Sequence, residues 1–100
     1  MKVEFLDEAY LDIEDAILWY ESVRKGLSVD FQLCMENALD EIIENPDSFQ
    51  KRYSFVRIRF IRRFPYGIHY YIFDETVIRV IGIIHVSRSP KIGSVRLKNN

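Results

Sequence analysis

Arg57, Arg59, Arg62, Arg63, Arg79 and Arg88 crowd into the second half of a 100-residue chain, among Tyr66, Tyr70, Tyr71 and the only two histidines, His69 and His85. These residue types suit a polyanion. A guanidinium grips phosphate or carboxylate through a planar fork, and aromatic rings stack on unpaired bases. A histidine supplies a general base, or a cation beside phosphate. Where a ribose 2′-hydroxyl is the nucleophile, one histidine and several arginines can cut RNA. His85 is the better candidate, because it ends a strand next to Ser87 and Arg88. The same arginines fit an acidic peptide equally, or a solvated sheet face whose charge guards an exposed edge.

Other chemistries lack their residues. The histidines stand sixteen residues apart with no cysteine pair, so no zinc site is expected. The carboxylates lack the spacing of a calcium loop, and neither a glycine-rich phosphate loop nor a nucleophile elbow is present. The single cysteine, Cys34, falls on an apolar helix stripe and reads as core. No metal and no cofactor are expected.

The elements that must hold these residues follow from periodicity. Between Phe55 and Val86 β-branched and aromatic residues dominate, which favours strands. Pro65-Tyr66-Gly67 and Asp74-Glu75-Thr76 punctuate the run, so it reads as a three-stranded antiparallel meander. Strand parity puts Val56, Ile58 and Phe60 on one face and Arg57 and Arg59 on the other. It puts Ile78, Val80, Gly82, Ile84 and Val86 on the buried face, with Arg79 and His85 opposite. The strand with Ile68, Tyr70 and Ile72 is apolar on both sides and reads as central. Parity breaks at Ile61-Arg62, which predicts a bulge or the end of a strand.

Upstream, Lys2 to Leu6 alternates as a short strand. Asp7 is placed to cap a helix whose stripe is Ala9, Ile13, Ala16, Ile17, Tyr20 and Val23, widened by Leu11, Leu18 and Trp19. Asp12, Glu14, Asp15 and Glu21 read as solvated. Gly26 ends that helix in a left-handed cap, Ser28 opens a second, and Asn45-Pro46 stops it. The short connection folds the two into an antiparallel hairpin. Residues 47–54 read as a loop and Lys98-Asn99-Asn100 as a frayed tail. The predicted class is α+β: an N-terminal strand and a helical hairpin packed on one face of a small antiparallel sheet, whose other face exposes arginines.

Length predicts a single domain over residues 1–100. One cysteine fits a reducing compartment, and no apolar segment is long enough for a membrane anchor, so a cytoplasmic protein without membrane contact is expected. The net charge of −1 conceals a division. Residues 1–50 carry three basic and thirteen acidic side chains, a net of −10, whereas residues 51–100 carry eleven and two, a net of +9. Such asymmetry points to a polyanionic or acidic partner for the basic half.

Arg62-Arg63-Phe64-Pro65-Tyr66-Gly67-Ile68-His69-Tyr70 resembles the R-R-F-P-Y-x-I-x-Y signature of ParE-like toxins. His85-Val86-Ser87-Arg88-Ser89-Pro90 is similar to the H-x-x-R-x-P segment that closes the same domain, and the helical hairpin lies in matching order upstream. The resemblance is to the RelE/ParE superfamily of type II toxin–antitoxin (plasmid stabilisation, or addiction) systems, on the ParE-like branch. It implies a prokaryotic toxin that inhibits growth, with DNA gyrase the favoured target, and a cognate antitoxin encoded beside it. It also implies an alternative, a ribosome-dependent mRNA endoribonuclease with Arg57, Arg59, Arg79 and His85 as catalytic residues, so whether the chain is an enzyme stays open. A third reading is an inactive antitoxin-binding module. Arg62, Arg63, Tyr66, Tyr70 and Arg88 are the expected binding residues. No aromatic residue follows Phe73, although many nuclease members carry a C-terminal tyrosine.

Overall fold

The computed structural model describes residues 1–89 and 91–99. Pro90 of the closing segment and Asn100 of the tail lie outside the described residues. The strands are β1 (Lys2–Phe5), β2 (Lys51–Tyr53), β3 (Val56–Phe60), β4 (Tyr66–Ile72) and β5 (Val77–His85). The helices are α1 (Asp7–Val23), α2 (Leu27–Glu44) and α3 (Lys91–Asn99). One sheet has the order β1-β5-β4-β3-β2. The meander is antiparallel as expected, and β1 joins β5 in parallel, Lys2 facing Val77 and Phe5 facing Val80, so the sheet is mixed. The expected class, α+β with a helical hairpin on one face, is the observed one. Two elements were not expected: β2 lies inside the predicted loop, and α3 covers the predicted tail through Asn99.

The hairpin forms where the periodicity puts it. Gly26 takes the left-handed conformation at φ 88°, which costs glycine little, and begins α2 rather than ending α1. Neither Asp7 nor Ser28 is a cap. Leu6 precedes α1 with no side-chain cap, and Ser28 is buried inside α2. Its hydroxyl donates to Glu21 of α1 at 2.7 Å, and the same carboxylate accepts the Gly26 N–H at 3.1 Å. Those bonds hold the Glu21 carboxyl below its usual range, the Ser28 hydroxyl foremost. The core lies between hairpin and sheet, with Ala9, Ala16, Phe31, Ala38, Ile42, Ile68, Tyr70, Ile78 and Val80 buried. Burying one such large side chain is worth about 1.5–3 kcal/mol. Leu11, Leu18 and Trp19 are not part of it: all three are exposed.

Strand parity holds in β4 and fails on both sides of it. In β3, Arg57 pairs with Tyr70 and Arg59 with Ile68, on the hairpin face, while Ile58 and Phe60 pair with His69 and Gly67 on the far face. The expected exposure of Arg57 and Arg59 is therefore overturned. Their stems cover apolar surface while the Arg57 head reaches the loop after α2 and the Arg59 head reaches Glu41 of α2, an arrangement open to long cationic side chains. In β5, His69 faces Gly82 but Tyr70 faces Val80, so Ile81 is an extra residue. This bulge exchanges the faces beyond it. Ile78 and Val80 face the hairpin as expected. Gly82 and Ile84 do not, and His85 lies on the opposite face from Arg79, its expected neighbour.

The far face is partly covered by α3. Gly93 sits where any Cβ would collide with the Tyr53 hydroxyl, so only glycine lets the helix approach so closely. Arg96 then reaches past β5 to Asp12 of α1, with Nη2 to Oδ1 at 2.9 Å and Nη1 to Oδ2 at 2.5 Å. Asp12 Oδ2 also accepts the Ile83 N–H of β5 at 2.9 Å. The reading of Asp12 as solvated is thus corrected: it is buried, one turn from Ala9 and Ala16, small residues that let α1 close on the strand. Removing one partner of a buried ion pair costs about 3–5 kcal/mol, because the other is left uncompensated. Asp12→Ala and Arg96→Ala should each destabilise the fold by about that much in urea denaturation, and the double variant should lose far less than their sum. Additive losses would show that the pair is not coupled.

Candidate functional site

Of the nine residues singled out from sequence, Tyr66, His85 and Arg88 come together. Tyr66 begins β4, His85 ends β5 directly opposite it, and their rings meet edge to face at 5.1 Å. With Asp12, Asp15, Ala16 and Trp19 of α1, and with Ile83, they line a pocket of about 220 Å³. His85 and Arg88 also border a wider cavity of about 360 Å³ on the far face, with Ile58, Phe60, His69 and Ile84. Trp19 and Asp15 were missed. Each lies beside the helix stripe, and only the exchange of faces at Ile81 brings His85 round to them.

Local packing fixes this corner. Phe64 and Tyr66 turn inward between the helices, Phe64 within 4.9 Å of the Tyr20 ring and 5.4 Å of Phe31, and Tyr66 within 5.4 Å of Phe31. Each such pair adds about 0.5–1.5 kcal/mol beyond burial. Burial raises the Tyr66 phenol, the charges of Asp12 and Asp15 raise it further, and Arg88 opposes them, so the hydroxyl stays protonated and able to donate. The Ser87 N–H donates to His85 Nδ1 at 3.0 Å, and the Ser87 hydroxyl stands 2.8 Å from the same nitrogen. A neutral His85 therefore carries its proton on Nε2, with its basic nitrogen already engaged. That suits a donor or a contact residue better than a base.

The other candidates are dispersed. Arg57 Nη1 donates to the carbonyls of Phe49 at 2.7 Å and Asp47 at 3.1 Å. Arg59 binds Glu41 of α2 through Nε at 3.0 Å and Nη2 at 2.7 Å. Arg79 donates to Glu4 at 3.0 Å and to the Tyr71 hydroxyl at 3.1 Å, and lies 3.9 Å over the Phe73 ring. Tyr70 is fully buried, donates to the Pro46 carbonyl at 2.7 Å and is pushed up to about 12 by burial, so it is a core residue and not a surface contact. Arg62 and Arg63 stay exposed on the connection between β3 and β4, beside α2. Among the described residues no group of three histidine, cysteine or carboxylate side chains is placed to hold a metal.

His69 is buried and structural. Its Nδ1 and the Tyr53 hydroxyl are hydrogen-bonded at 2.8 Å, and burial holds Tyr53 protonated up to about 12. Burial first, then the Arg96 charge, brings His69 down to about 4, against a weaker opposing effect of Asp12.

The family model of the ParE toxin of type II toxin–antitoxin system, parDE, matches residues 3–90. Nine chains of solved structure match the fold. One belongs to the chromosomal ParDE TA system from P. aeruginosa, with TM-score 0.74 and 14% identity over 87% of this chain and 97% of that one. No curated protein matches in sequence.

Because the folded His69 takes up its proton later than the unfolded one, stability is complete above about pH 6.5 and falls as pH drops toward about 4, by up to about 3 kcal/mol. His69→Gln should remove that component. Urea denaturation of both proteins between pH 7 and 4 measures it, and parallel pH profiles would count against a buried neutral histidine.

Proposed function

The chain belongs to the ParE toxin family of type II toxin–antitoxin systems, and from that membership we propose a cytoplasmic toxin that arrests growth by engaging DNA gyrase and is held inactive by a cognate antitoxin. The observation that carries the gyrase reading is the fate of the basic residues. Arg57, Arg59 and Arg79 each direct their guanidinium to internal carboxylate, carbonyl or hydroxyl acceptors. Scission of RNA needs a base and an acid at the scissile phosphate, each worth about 10²–10⁴ in rate. Arginine stays protonated, and the accepting nitrogen of His85 is occupied. What remains at the Tyr66–His85–Arg88 corner is an exposed tryptophan, a phenol donor, a cation and a carboxylate. Tryptophan, tyrosine and arginine are the side chains that dominate protein–protein affinity. No helix of the described residues is long and apolar enough to cross a membrane.

One observation favours the ribosome-dependent endoribonuclease: Tyr66, His85 and Arg88 do converge, on a pocket open to solvent. A supercoiling assay with gyrase, ATP and relaxed plasmid, beside primer extension on transcripts after induction, separates the two. The purified protein should inhibit supercoiling and leave free RNA uncut. Trp19→Ala should weaken inhibition about 30-fold, as for loss of a 2 kcal/mol hot spot, without altering the melting temperature. His85→Ala should retain most toxicity. Ribosome-dependent transcript cuts that vanish in a folded His85→Ala protein would transfer the assignment to the endoribonuclease.

A further inference from the structure

Arg62 and Arg63, the opening pair of the family signature, take no part in the corner just described. They stand over a third pocket, of about 200 Å³, between α2 and the end of β3. Cys34, Asn37, Ala38 and Glu41 line one wall, at the spacing of a single helical stripe, and Arg59, Arg62 and Arg63 line the other. The lower wall is apolar, made by Cys34, Ala38 and the arginine stems. Arg59 is neutralised by Glu41 at 2.7 Å. Arg62 makes no ion pair among the described residues. Arg63 has a loose ion pair with Asp30, at 3.8 Å, and lies 5.6 Å over the Phe64 ring, with 63% of its side chain exposed. Asp30 lies equally far from Arg24. The mouth thus holds cationic charge that the chain itself does not neutralise. Arg63 also holds a left-handed backbone at φ 71°, a conformation that a non-glycine side chain keeps only where its surroundings fix it.

We propose that this pocket receives an acidic side chain, glutamate or aspartate, from a segment of the neutralising antitoxin; the identity of that partner rests on the toxin reading above. An apolar floor with a cationic rim matches a short methylene stem ending in carboxylate. A guanidinium pair can bind that carboxylate by charge-assisted hydrogen bonds. The volume is small for a nucleotide. The exposed Glu44 lies one turn past Glu41 on α2, a charge that disfavours a phosphate backbone more than a single carboxylate. A one-charge ligand thereby gains over a polyanion.

The test uses the full chain and a capped peptide with one glutamate, acetyl-Ala-Glu-Ala-amide, titrated into ¹⁵N-labelled protein. Amide shifts should cluster at Cys34, Asn37, Arg62 and Arg63. They should be absent with the glutamine counterpart, and Arg62→Ala combined with Arg63→Gly should weaken binding at least tenfold. Glycine suits the left-handed position, so that variant keeps the fold. Equal shifts from the glutamine peptide, tighter binding of inorganic phosphate, or no effect of the double variant would each overturn the proposal. A second arm measures dissociation of the antitoxin complex. The double variant should release the antitoxin about tenfold faster, and an unchanged rate refutes the pocket's role. Failure of the unsubstituted chain to form any complex refutes the toxin reading instead, and the peptide titration still decides the pocket.

Discussion

The carboxylate of Asp12 is the point on which three otherwise separate parts of the molecule meet. It accepts the Ile83 N–H from β5, binds Arg96 from α3 and stands on α1. Without it the edge of β5 past Val80, which β1 does not cover, would present an unpaired donor, and α3 would lose its buried ion pair to the hairpin. Charge there is buried but fully matched, which low polarity rewards and an incomplete set would penalise heavily. Burial keeps His69 neutral, and Arg96, held near it by this arrangement, adds to that effect against a weaker opposing one from Asp12. The corner at Tyr66, His85 and Arg88 is built on this node, because Asp12 and Ile83 are also two of the walls beside Tyr66 and His85.

Most of the fold was legible from sequence. The helical hairpin declared itself through apolar spacing, Gly26 and Asn45-Pro46, and the meander through its composition and turns. Facing was not. From Ile78 to Ile84 nearly every residue of β5 is apolar, so no polar position marks the slip at Ile81, and alternation carries no information there. In β3 the misreading had another cause: arginine was taken as a solvent residue, whereas its stem packs and its head finds carbonyls and Glu41. Helix α3 escaped notice because it docks through a glycine and an ion pair rather than through an apolar stripe. Strand β2 is only three residues long. At the site, Tyr66, His85 and Arg88 were visible from strand ends and the closing motif. Trp19 and Asp15 were not, since nothing in a helix sequence tells which strand end will lie beside it.

The division of charge between the halves also acquires a different meaning. Part of it is consumed inside the fold: Arg59 on Glu41, Arg79 on Glu4, Arg96 on Asp12, each joining the basic second half to the acidic first. The asymmetry along the sequence is in this respect a stitching pattern. Of the six arginines singled out in the sequence, Arg62, Arg63 and Arg88 are left largely outside it, and they sit at two corners rather than over a whole sheet face.

The parallel pairing of β1 with β5 has a consequence in time. Lys2 has no strand partner until Val77 has been made, and Asp12 waits still longer for Arg96. At roughly 5–20 residues per second, the separation between Lys2 and Val77 corresponds to a delay of roughly 4–15 s during synthesis. Through that interval the hairpin can form locally, but the sheet cannot close, and contacts so distant in sequence are slow to make. The corner at Tyr66, His85 and Arg88 thus cannot take shape until β5 has been made. Acquisition of shape is postponed until both strands of that pairing are available.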